Sequence, residues 1–360
     1  MRSIITSLFL VLPAFAAPVY QLVDLGSVPN GSSGADLNNA GQIIGTVYSA
    51  GWQAFYWNGA STAILGSFGG VDAFGRPQTL GNGLNDSAQL VGHSLTLLGE
   101  TMAFATNGSS LQPLGTLGGT YSSAQAINNS GQVAGTSTLA NGWYRAFVWN
   151  GTMQDIGVLS AACPHGGTSA NDINNAGYVT GQSANAGCYG HAYLWNGSTM
   201  QDLGTFGGRF STGYAVNSLG HVVGTSELPS LNGDVAFLWN GTSMQSLGYF
   251  PHPFPASGAF DINDSGYIVG YSNRVGFGGT AVLWEGGNMH VLNDLVNNLG
   301  GWNLVQANAI NNVGQITGSG YFNGQQRAFL LTPVPEPATA GLVSIALGLI
   351  GLCGRAKRTS

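Results

Sequence analysis

The sequence predicts an all-β, seven-bladed β-propeller of four-stranded blades, and three observations carry that expectation. Short apolar runs of strand length recur along the chain, each bounded by Gly, Asn or Ser. The runs repeat with a long period. Aligned on the glycine of an Asn-x-x-Gly turn, Gly41, Ala88, Gly131, Gly177, Gly220, Gly266 and Gly314 lie 47, 43, 46, 43, 46 and 48 residues apart. A four-strand unit of about 40–50 residues has the length of a propeller blade. Finally, seven three-strand sets are matched by seven fourth strands only if Tyr20–Leu25 is counted, because Pro333 follows the last set. The N-terminal strand is therefore expected to close the last blade.

The unit is clearest from Met200 to Gly241. Its runs are Met200–Leu203, Thr212–Val216, His221–Gly224 and Val235–Trp239. Asn217-Ser218-Leu219-Gly220 and Asn240-Gly241 are tight hairpin signals, with Gly free to take positive φ. The strand before each Asn-x-x-Gly turn is built of small residues, as in Ser122-Ser123-Ala124 and Ser211-Thr212-Gly213, and suits a crowded central axis. The third strand is bulky on both faces, as in Ala54-Phe55-Tyr56-Trp57 and Ala236-Phe237-Leu238-Trp239. A sheet sandwiched between neighbours buries both faces, so these aromatics read as core between blades.

Composition narrows the function. Between the termini there are five arginines, no lysine and fourteen carboxylates. Nucleic-acid binding needs a basic stripe, and this body is acidic. Residues 1–16 read as a signal peptide: Arg2, an apolar run from Ile4 to Leu12, then Ala14-Phe15-Ala16 as a cleavage site. At the other end, an uncharged run from Ala338 to Gly354 precedes Arg355-Ala356-Lys357-Arg358 and predicts a C-terminal transmembrane helix with its basic end in the cytoplasm.

The repeat itself, in Asp202-Leu203-Gly204-Thr205-Phe206-Gly207-Gly208, in Ile127-Asn128 followed by Gly131-Gln132-Val133, and in His191-Ala192-Tyr193-Leu194-Trp195, resembles the HAF repeat of bacterial extracellular proteins. Only His191 keeps the histidine that names the repeat, so no shared catalytic histidine follows. The tail, with Val334-Pro335-Glu336-Pro337 before the apolar run, resembles the PEP-CTERM sorting signal. That resemblance implies an exosortase-type sorting enzyme as partner, transient anchoring in the inner membrane, and a final place in the cell envelope or outside the cell. The expected division is a signal peptide at 1–16, a HAF-repeat propeller at 17–333 and a sorting tail at 334–360.

In a meander the Asn-x-x-Gly and Asn-Gly turns share one face of the disc, and the two connections of variable length share the other. Variation confined to one face of a repeat protein commonly marks the binding face. Candidate binding residues there are Arg76, Trp143, Tyr144, Arg145, Arg209, Arg274, Trp302 and Arg327. Arginine and aromatic rings suit acidic polysaccharide by ion pairing and stacking. The alternative is that these loops only cap the disc.

Cys163 and Cys188 fall on two variable loops of one repeat, and in an exported chain a disulfide is the first reading. Zinc on these cysteines with His165 and His191 is the alternative, at a spacing that fits no common site. No nucleophile elbow, zinc-protease helix, P-loop or dinucleotide fingerprint occurs, so neither enzyme activity nor a cofactor is expected. The function expected is a non-catalytic surface or extracellular-matrix protein binding polysaccharide or a protein partner. The competing expectation is a glycan-active enzyme using Asp72, Asp172 and Asp261 near the axis. Asp36, Asp172 and Asp261 each precede the Leu-Asn or Ile-Asn of an inner strand, so the alternative for them is local hydrogen bonding in the hairpin.

Overall fold

The computed structural model describes residues 18–335, apart from 26–27, 30, 108–109, 164, 230–232 and 276–277. The expected signal peptide and the expected C-terminal helix lie outside the described residues. Among the described residues the one helix is Leu292–Leu295, and no helix is long and apolar enough to cross a membrane.

Seven inner strands begin the repeats: Ser32–Leu37, Thr79–Leu84, Gly118–Ile127, Thr168–Ile173, Ser211–Val216, Ser257–Ile262 and Trp302–Ile310. Each pairs antiparallel with the next strand in sequence, and the meander continues outward. The expectation of seven separate four-stranded blades is corrected by the hydrogen bonding. Five sheets are four-stranded blades, whereas the second and third repeats merge into one eight-stranded sheet. The join is a parallel pairing of Tyr121 with Thr101. The join comes from the ten-residue strand Gly118–Ile127, which starts earlier than the other inner strands' equivalents and so reaches the preceding repeat. Tyr20–Asp24 pairs antiparallel with Gln325–Pro333, so the first strand completes the last sheet.

Each inner hairpin explains its own sequence. Asn38 Oδ1 accepts from the backbone N–H of Ala40 and Gln42, its carbonyl accepts from Gly41 N–H, and Gly41 takes φ +74°. The remaining donor, Asn38 Nδ2, reaches the carbonyl of Asn85 in the next repeat at 3.1 Å. The relay continues from Asn85 to Asn128, Asn174, Asn217, Asn263 and Asn311, and Asn311 Nδ2 returns to Asn38 O at 2.9 Å. The ring is therefore closed by a short side-chain amide that accepts within its own turn and donates to the next.

Every inner strand also carries a bulge, at Gly34/Asp36 in the first repeat. The bulge pushes the Ser33 carbonyl toward Gly45, where a Cβ would collide with that oxygen and with the Phe55 ring. The same close approach recurs at Gly135 and Gly224. That is the physical reason for the second glycine of the repeat. The space goes to the third strand's ring: Phe55, Phe104, Phe147, Tyr193, Phe237 and Phe329 are fully buried between sheets. Truncating one to alanine costs about 3–5 kcal/mol.

Candidate functional site

The variable connections lie on the face opposite the asparagine turns and carry the exposed aromatics. Phe74 (81% exposed), Phe254, Tyr144, Trp52, Phe210 and Tyr321 are all on or beside these loops. The asparagine-turn face exposes aliphatic side chains, among them Leu219, Val313, Val19 and Val334, and no large aromatic one among the described residues. Arginines lie over several of the rings: Arg76 over Phe74 at 4.7 Å, Arg145 over Trp143 at 5.9 Å, Arg209 over Phe210 at 5.6 Å, Arg274 over Phe250 at 5.7 Å and Arg327 over Phe322 at 5.7 Å.

The expected site residues do not form one cluster, because they belong to different repeats around the disc. Trp143, Tyr144 and Arg145 do sit together, beside the loop that holds Cys163. Trp302 does not belong to the surface. It is 6% exposed and packs on Phe322 and Phe329, because the strand that begins with it turns its ring inward beneath the Leu292–Leu295 segment. Sequence reasoning omitted Phe74 and Phe210 from the candidates, although each stands within two residues of an arginine.

Several guanidinium groups already have anionic partners. Arg76 pairs with Asp72 at 2.8 Å and donates to Tyr48 Oη. Arg145 faces Asp155 at 3.7 Å and donates to the carbonyls of Tyr144 and Gly166. Arg327 lies 3.4 Å from Asp24. The face is thus less cationic than the sequence suggested.

Cys163 and Cys188 are joined by a disulfide, with their Cα atoms 5.3 Å apart. The histidines of the alternative zinc set turn elsewhere. His165 meets the Trp143 ring edge-on, and His191 Nδ1 lies 2.9 Å from Asp202 Oδ1. Among the described residues no group of three or more His, Cys, Asp or Glu could hold a metal ion.

The axial carboxylates differ from the expected set. Asp72 is on the variable face, where the Arg76 side chain holds its pKa down to about 2. Its place near the axis is taken by Asp36, which lines a narrow channel of about 120 Å³ with Asp172 and Asp261. Desolvation raises Asp36 to about 7 and Asp172 to about 6, and pushes Asp261 well above the usual carboxylate range. Each carboxylate is committed to backbone. Asp36 accepts from Leu37 N–H and from Leu84 N–H of the next repeat, and Asp172 and Asp261 do the same with Val216 and Ile310.

Residues 333–358 match the PEP-CTERM protein-sorting motif. The motif indicates an exported protein recognised by an exosortase, placed in the cell envelope or outside the cell. No curated protein matches the sequence. Among solved structures, the β-propeller domain of the Trilobed protease from Pyrococcus furiosus is 8% identical over 88% of this chain and 94% of that one, with a TM-score of 0.53. The acylaminoacyl peptidase of Pyrococcus horikoshii is 9% identical over 91% of this chain and 54% of its own, at 0.49. The SapL1 lectin in complex with alpha methyl fucoside is 15% identical over 73% of this chain and 97% of its own, at 0.39. At such identities the likeness to the Pyrococcus furiosus domain establishes the propeller fold alone.

Proposed function

We propose that the exported chain is a non-catalytic surface or matrix protein that binds polysaccharide through its variable-loop face. The carrying observation is the segregation of exposed aromatic rings to that face. Solvent-facing rings on a rigid scaffold present flat apolar area to the C–H face of a sugar at little entropic cost. Three of the arginines are ion-paired, which favours neutral over acidic sugars. The exit of the chain supports the same reading. Pro333 packs beside Gly314 of the asparagine-turn face, so the sorting tail leaves opposite the aromatic rings. A protein held by its tail would present the rings away from the membrane. The resemblance of the repeats to HAF-repeat extracellular proteins belongs to this reading too.

The glycan-active alternative rests on the axial carboxylates, whose raised pKa values suit a general acid. Their oxygens, however, are occupied by backbone N–H groups that tie one repeat to the next. The test is retention of the purified full chain on neutral and acidic polysaccharides, with reducing ends assayed in parallel. Retention on neutral polysaccharide without new reducing ends is the expected result. Reducing ends that disappear in Asp172→Asn or Asp261→Asn would establish the enzyme instead, and no retention on any polysaccharide would overturn the binding reading.

A further inference from the structure

A cavity of about 600 Å³ opens on the variable-loop face between the third and fourth repeats. Its walls come from Thr136 and Tyr144 of the third repeat and from the disulfide-bonded loops of the fourth. It is the place where the variable face is covalently braced. Gly166 lies so close to Ala184 and to Cys163 that a Cβ would clash with both, and Arg145 Nη1 holds the Gly166 carbonyl at 3.0 Å. The wall is therefore built rather than loose.

The lining has a definite chemistry. Among the described residues no carboxylate, arginine or lysine lines the cavity, and its one titratable side chain is His165, whose ring meets Trp143 edge-on. Gln182 donates through Nε2 to Ser211 O and Thr212 Oγ1, which orients its amide and leaves Oε1 to accept. Thr136 and Ser169 also line the cavity. At its edge stands Tyr144, half exposed, its ring fixed edge-on by Tyr121 at 5.6 Å. A neutral ligand with hydroxyl groups on its rim and an apolar face for one aromatic ring fits that set.

We infer that this cavity is the principal sugar subsite of the protein, taking one neutral hexose-sized unit of a polysaccharide, with Tyr144 as the stacking platform and the Cys163–Cys188 bridge holding the wall. The inference rests on the polysaccharide-binding reading and gives that reading a location. The occupant's ring lies on Tyr144, and its hydroxyls meet Gln182 Oε1, Thr136 and Ser169. Because the bridge forms part of the wall, binding depends on the oxidised state of the loop even where the ring of repeats stays folded.

The experiment titrates the full chain, disulfide intact, with cello-, laminari-, malto- and manno-oligosaccharides of four to six units. Tyr144→Ala should weaken binding of the best of these about tenfold, the scale of one lost aromatic contact. Tyr144→Phe should retain it, and Leu219→Ala, exposed on the opposite asparagine-turn face, should leave it unchanged. Reduction with dithiothreitol should abolish binding while the far-ultraviolet circular dichroism remains that of the folded protein. Equal binding by wild type, Tyr144→Ala and the reduced protein would overturn the subsite and leave the polysaccharide reading standing. No binding of any oligosaccharide, together with no retention on the parent polysaccharides, would overturn both.

Discussion

The two faces of the disc are built from the same repeat and behave as opposites. On the asparagine-turn face every inner turn has the same length, and its side chains hand hydrogen bonds from repeat to repeat. A second relay runs outside the first, from Asn39 N–H to Asp86 Oδ1, from Asp86 N–H to Asn129 Oδ1, and from Asn312 N–H back to Asn39 Oδ1. On the variable-loop face the connections differ in length, many rings are exposed, and polar ties between loops are individual, as where Arg145 Nη1 donates to the Gly166 carbonyl, rather than a repeated relay. The difference teaches where stability and recognition reside. A buried network in which every member serves two partners tolerates no substitution, whereas an exposed loop does.

The comparison breaks first at the asparagines. Asn128 is buried, bonds Asn174 O and Gln132 Oε1 through Nδ2, and accepts from Ser130 and Gln132 N–H through Oδ1. Asn128→Ala strands several of these groups and should cost about 4 kcal/mol in urea unfolding. A loss below 1 kcal/mol would mean that the relay is decorative.

On the opposite face the largest stability effect should come from the disulfide, which spans a separation of 25 residues. Replacing Cys163 and Cys188 together with serine should lower stability by about 3 kcal/mol on the chain-entropy account. The domain should still fold, as read by circular dichroism, because the core between sheets does not include that loop. Two free thiols in the unfolded, unreduced protein would contradict the bridge itself.

Between the faces, the axial carboxylates set a pH dependence. Asp36 and Asp172 carry folded pKa values near 7 and 6 against an ordinary 3.8, with desolvation as the leading cause. Raised values mean that the folded chain keeps protons the unfolded chain has lost. The favourable contribution is therefore complete below the ordinary carboxylate value and is lost as pH rises through 6 to 7. Stability should be about 4 kcal/mol greater at pH 5 than at pH 8, the larger share from Asp36. The paired Asp72, titrating near 2, does not contribute in that window. A flat melting temperature across this range would refute the coupling, and Asp36→Asn should flatten the slope.

A smaller effect sharpens the account of the turns. Ala88 stands at the glycine position of the second repeat with φ +56°, a region costly for any residue with a Cβ. Ala88→Gly should stabilise the protein by about 1 kcal/mol in thermal unfolding. Smallest of all should be Phe74→Ser, within about 0.5 kcal/mol, since that ring touches solvent and Arg76. A larger loss there would place the variable loops in the folding core.

The period, the inner hairpin and the buried third strand were legible in the sequence, because each is a local demand. The turn needs asparagine to satisfy two N–H groups and glycine to take positive φ, and the demand recurs at every repeat. The need for Tyr20–Asp24 in the last sheet was legible too, since no fourth strand follows Leu331. The merging of the second and third repeats was not, because it depends on how far the strand starting at Gly118 reaches toward its neighbour. Nor was the inward turn of Trp302, whose place was decided by the segment folded over it. The axial carboxylates show the same division. Asp36, Asp172 and Asp261 were visible as a pattern, each before the Leu-Asn or Ile-Asn of an inner strand, but only closure of the ring brings the three into one channel. Local backbone requirements write themselves into adjacent residues, whereas contacts across a closed ring join residues hundreds of positions apart, as when Asn311 donates to Asn38 at a separation of 273.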